Sequence, residues 1–166
     1  MTVTSALGQV VADEFGIRLE FVRLIDAPVA DVWSAVTDSD RLALWFGSWS
    51  GDPADGHVLL RSIEAPEDAY PDTVTIVECA APHRLAVVLP TDDGGWPLTA
   101  ELQPRGADGT FLLFTHRLAE PFDATSIGPG WHYYLDRLAA VVAGQPVPEN
   151  WEDYHPALSG SYRLPE

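Results

Sequence analysis

Between Gly130 and Gly144 the chain carries an apolar stripe too heavy to be left in water. Trp131, Tyr134, Leu135, Leu138, Ala139 and Val142 recur at the spacing of one helix face. His132, Asp136 and Arg137 fall beside or opposite it. Pro129 suits a first helical position, where its missing N–H costs nothing, and Gly144 with Pro146 beyond reads as a stop. Burying each large residue of the stripe stabilises by roughly 1.5–3 kcal/mol, so this helix demands a wide apolar partner surface.

The rest of the chain supplies that surface as strands. Leu7 to Ala12 and Ile17 to Ile25 read as the first two, turning at Glu14-Phe15-Gly16. A helix is expected from Pro28, with Val29, Val32, Trp33 and Val36 at helical spacing, and a short one from Ser39, as N-cap, to Trp45. Gly47 to Gly56 is turn-rich. Five strands follow: His57 to Ile63, Thr73 to Cys79, Leu85 to Leu89, Trp96 to Leu102 and Thr110 to Leu118. Proline and Asp/Gly clusters separate them, as in an antiparallel meander. Leu85, Val87 and Leu89 share a face, as do Leu98, Ala100 and Leu102, and Leu112, Phe114, His116 and Leu118. These rows are expected to receive the Trp131 helix. Trp151, Tyr154, His155 and Leu158 predict a short helix in the C-terminal tail. No linker divides the 166 residues, so a single domain spanning 1–166 is expected, with 1–16 as an extra N-terminal strand and 145–166 as the tail.

The net charge of −16, with arginine as the only strong base, argues against nucleic acid and anionic membranes, which need a positive footprint. No membrane-length apolar run and no secretory signal is readable, so a cytoplasmic protein is expected. The single cysteine, Cys79, lies in the apolar run Val74 to Ala81 and is expected to be buried and inert. There is no His-x-x-x-His, no Cys-x-x-Cys, no phosphate loop and no Gly-x-Ser-x-Gly elbow, so neither metal nor cofactor is expected.

Four stretches carry a resemblance. They are Ala27-Pro28-Val29-x-x-Val32-Trp33-x-Ala35-Val36-Thr37-Asp38 with Leu42-x-x-Trp45-Phe46; Glu78 through Pro82-His83-Arg84-Leu85; Gly109-Thr110-x-Leu112-x-Phe114-x-His116; and Gly130-Trp131-His132-x-x-Leu135-x-x-Leu138. In this order they resemble the SRPBCC (START-like) superfamily, and within it the branch named for activators of the heat-shock ATPase chaperone. The resemblance runs from Ile17 to Tyr162 and implies an α+β helix-grip fold, a curved antiparallel sheet wrapped around a long C-terminal helix. It also implies a cavity between the two. Unlike the eukaryotic chaperone activators, this chain has no separate domain expected ahead of the grip.

The residues then favour binding over catalysis. Trp45, Trp49, Leu60, Val87, Leu89, Leu98, Leu112, Phe114, Trp131 and Leu135 are the expected cavity lining for a small hydrophobic or aromatic molecule, with His116 as its polar contact and His132 at the mouth. A cyclase-like or hydrolytic enzyme using His116 or His132 as acid and base is the alternative. Glu101 is expected to face outward. A chaperone partner met through the acidic surface, and a homodimer, stay open.

Overall fold

A computed structural model of the chain describes residues 8–92, 94–120 and 123–164. Leu7, the expected first strand residue, lies outside them. The strands are β1 (Gly8–Asp13), β2 (Gly16–Ile25), β3 (Gly47–Ser50), β4 (His57–Ser62), β5 (Asp72–Ala80), β6 (Arg84–Leu89), β7 (Trp96–Arg105) and β8 (Gly109–Leu118). They form one antiparallel sheet in the order β1-β2-β8-β7-β6-β5-β4-β3. Helices α1 (Val29–Thr37) and α2 (Ser39–Leu42) connect β2 to β3, and α3 (Ala124–Ala143) follows β8. This is the α+β helix-grip fold.

Alternation sets which sheet face is inside. On β2, Leu19, Phe21 and Ile25 are buried and opposite β8 in register, with Leu19 across from His116 and Phe21 across from Phe114. On β7, Leu98, Ala100 and Leu102 pair with His116, Phe114 and Leu112. A register shift between Ile76 and Glu78 marks a β-bulge, and its extra residue, Val77, is exposed. The bulge changes which residues face inward. Ile76 and Cys79 both turn toward the concave side, while Glu78 stays outside and accepts a 2.8 Å hydrogen bond from Arg84. Arg84 also binds Glu101, at 2.6 Å, on that outer side.

The sequence expectations need correction at five elements. The Gly47–Ser50 segment, expected to be turn, is a strand paired to β4. Pro28 and Asp38, not Ser39, flank their helices as caps: Pro28 O accepts from Val32 N at 3.2 Å, and the Asp38 carboxylate accepts from Asp40 N and Arg41 N. Ser39 is the first residue of α2, and its hydroxyl is used across space on both backbone groups of Trp49, each at 2.8 Å. Helix α3 begins at Ala124, so Pro129 lies inside it. Packing there overrides propensity, because Gly128 sits against the Tyr162 ring so closely that a Cβ would come within 2.3 Å of Cγ. Gly144, at φ +67°, ends the helix in the left-handed conformation as expected. The tail forms two 3-10 turns, Trp151–Asp153 and Ser159–Tyr162, instead of a helix. Pro156 between them has no N–H to continue one. Tyr154, Leu158 and Tyr162 are nonetheless buried against α3.

Candidate functional site: an apolar cavity inside the grip

The concave face of β4–β8 does not close fully on α3. A cavity of about 200 Å³ remains, closed on one side by α1, α2 and the start of β3. From the sheet come Leu60, Val87, Leu89, Leu98, Leu112 and Phe114. Trp131, Leu135 and Leu138 come from α3, and Trp45, Phe46 and Trp49 from the segment after α2. Pro53 and Cys79 are the exposed lining residues and mark where the cavity opens. Cys79 is thus exposed and not buried as expected: the bulge directs it to the concave side, but near the end of β5 it sits at the cavity opening, where nothing covers it.

The aromatic residues offer ring surface and keep their polar atoms to themselves. Trp45 Nε1 donates to Ala35 O at 2.9 Å, Trp49 Nε1 to Thr37 O at 2.8 Å and Trp131 Nε1 to His116 Nδ1 at 2.9 Å. Each indole donor is therefore satisfied within the protein. Phe46 stacks on Trp131 with ring centroids 5.8 Å apart, and Phe114 tilts onto it at 4.6 Å. Among the described residues, none that lines the cavity is charged.

Both histidines depart from expectation. His116 does point inward, but it lies beyond Trp131 and lines a separate pocket at the start of α3 instead of the cavity. The Trp131 indole stands between it and any occupant. The His116 ring is fully buried, and burial pushes its pKa down to about 4. His132, one position along the helix from Trp131, turns away from the cavity. It is buried under the tail, with Nε2 at 3.5 Å from Asp136 Oδ2 and its ring edge-on to Tyr154. Burial lowers its pKa, Asp136 opposes the shift and Arg23 adds to it. The two histidines therefore do not pair across the cavity.

Two buried cations escaped the sequence reading. Arg23, on the inward face of β2, approaches Asp136 Oδ1 at 3.4 Å, and Tyr154 donates to Asp136 Oδ2 at 2.8 Å. Arg137 donates from Nε to Trp45 O at 3.1 Å and to Pro148 O, tying α3 to the cavity wall and the tail. Helical spacing placed it off the stripe, and nothing in the sequence pointed to its carbonyl partners. Among the described residues, no cluster of metal-binding side chains forms and no helix is long and apolar enough to cross a membrane.

Residues 26–143 match the family described as Activator of Hsp90 ATPase homolog 1-like protein. Among solved structures, CalU16 from Micromonospora echinospora is similar over 96% of both chains, at 25% identity and a TM-score of 0.72. A protein from Bordetella parapertussis is similar over 100% of this chain and 96% of its own, at 25% identity and a TM-score of 0.69. A conserved protein of unknown function from Enterococcus faecalis shares the fold at 22% identity and a TM-score of 0.70, over 92% of this chain and 89% of its own. No curated protein matches at a significant level.

Proposed function

The chain belongs to the Activator of Hsp90 ATPase homolog 1-like family, within the SRPBCC superfamily, and from that premise we propose that it binds a small, uncharged, apolar molecule of one or two rings inside the grip. The observation that carries this reading is the satisfied state of the three tryptophan donors on the cavity wall. A ligand there meets ring faces and aliphatic side chains and finds no charge to pair with. Its recognition is by shape and burial. The size is consistent: an apolar cavity of about 150 Å³ accommodates benzene, and about 200 Å³ admits a somewhat larger molecule.

The acid–base alternative loses its geometric support, since neither His116 nor His132 borders the cavity. Naphthalene is a direct probe. Its titration into isotope-labelled protein should shift the indole N–H resonances of Trp45, Trp49 and Trp131 saturably, with a Kd on the order of 10 µM, about 0.7 kcal/mol per carbon. Val87→Trp, and the smaller filler Leu98→Phe, should weaken binding at least tenfold while the protein stays folded. Unmoved indole signals in the wild type at millimolar naphthalene would overturn the proposal.

A further inference from the structure

The apolar cavity opens between Pro53 and Cys79, and the loop that carries Pro53 gives this mouth a charge. Gly51 and Gly56, at φ +103° and +83°, turn the chain between β3 and β4. Between them Pro53–Asp55 forms one 3-10 turn, capped by the Asp52 carboxylate, which accepts from Ala54 N at 2.9 Å. Asp52 and Asp55 therefore bracket Pro53, both exposed, and the loop from Gly51 to Gly56 contains no base. Such a turn rises about 2 Å per residue, so both carboxylates lie within a screening length of Pro53, about 10 Å at 0.1 M salt. The arginines of the surrounding elements are engaged elsewhere. Arg84 is held by Glu78 and Glu101 on the outer side of the sheet, and Arg41 by Asp31 at 2.7 Å. Arg61 alternates with the cavity residue Leu60, faces outward and donates to Ala69 O at 2.8 Å.

The consequence for ligand class rests on the apolar reading above. An ionic group carried into the grip would lose its water and find no partner among the lining residues. Only an end left at the mouth keeps its hydration. There it meets Asp52 and Asp55 on a chain of net charge −16, a field that attracts cations and repels anions. We propose that the grip takes, beside neutral ring compounds, primary amines whose ring body fills the cavity and whose ammonium-ended tail stays at the Pro53 mouth, and that it rejects the matching carboxylates. The cavity is the site; the two aspartates select by charge what the ring body carries. Exposed ion pairs are individually weak. Attraction of one sign and repulsion of the other, each from two carboxylates, compound to an amine-to-carboxylate affinity ratio on the order of thirtyfold at low salt.

Naphthylethylamine, naphthylpropionate and ethylnaphthalene share a ring body and differ in the charge of the tail. Titrated into labelled protein at pH 7.5, the amine should move the indole N–H resonances of Trp45 and Trp49 and also the amides of Ala54 and Asp55. Ethylnaphthalene should move the indoles and leave the mouth amides in place. The amine-to-propionate ratio should fall towards one in 0.5 M sodium chloride. Asp52→Asn combined with Asp55→Asn keeps an oxygen to cap the turn and removes both charges. It should lower that ratio at least fivefold while ethylnaphthalene binds as before. Equal affinity for amine and propionate at low salt, or a ratio that the double variant leaves unchanged, overturns the proposal. An amine response at Ala54 and Asp55 with none at the indoles is surface ion pairing and overturns it as well. Each of these failures leaves the response to ethylnaphthalene intact. Loss of that response instead removes the apolar-cavity reading, and this inference with it.

Discussion

At the scale of single residues, the two inward histidines make stability depend on pH in a defined direction. Burial holds both pKa values below the ordinary 6.5, that of His116 at about 4. As the pH falls, the unfolded chain takes up these protons first, so the stabilisation is complete above about pH 6.5 and is lost between there and about pH 4. At about 1.36 kcal/mol per pKa unit, His116 alone accounts for a loss on the order of 3 kcal/mol. Asp13 acts in another window: the hydrogen bond from Arg117 holds its carboxyl at about 2, so its contribution fades only below about pH 4. Urea midpoints at pH 7.5 and 4.5 should therefore differ markedly, and His116→Asn should reduce the difference. An unchanged midpoint across that range would mean that both histidines already protonate in the folded protein.

At the scale of elements, the bulge in β5 decides the chemistry of the cavity. Strict alternation from Val74 would send Glu78 inward; the extra Val77 sends Cys79 there instead and leaves Glu78 with Arg84. Deleting Val77 should return the carboxylate to the apolar face and cost about 3 kcal/mol or more, the scale of an uncompensated buried charge. Thermal unfolding would show it, and Glu78→Leu in the same background should recover much of the loss. This device was not legible in the sequence, where Val74 to Ala81 reads as one apolar run. What was legible was carried by repetition: β4 to β8 by alternating residues between turn formers, and the second half of α3 by its stripe. The first turns of α3 were hidden by Gly128-Pro129-Gly130, residues that signal a helix boundary unless a ring such as that of Tyr162 packs on them. The inward side of His116 was readable from β8. Its partner was not, because Trp131 and the histidine meet only when α3 is laid across the sheet.

At the scale of the whole molecule, a net charge of −16 means that folding gathers like charges together. Raising the ionic strength from 0.01 to 0.5 M shortens the screening length from about 30 Å to several ångströms, so the melting temperature should rise with sodium chloride; a fall would show that the ion pairs outweigh the repulsion. The sheet order adds a constraint of another kind. Every hairpin from β3 to β8 closes between neighbours in the chain, but β2 pairs with β8, Leu19 opposite His116. During synthesis, β2 must wait for nearly a hundred residues to be made before its partner exists. At roughly 5–20 residues per second that interval lasts several seconds or more. The growing chain therefore spends that time with one hydrogen-bonding edge of β2 unpaired, and β8, made last of the eight described strands, is the one that joins the two halves of the sheet.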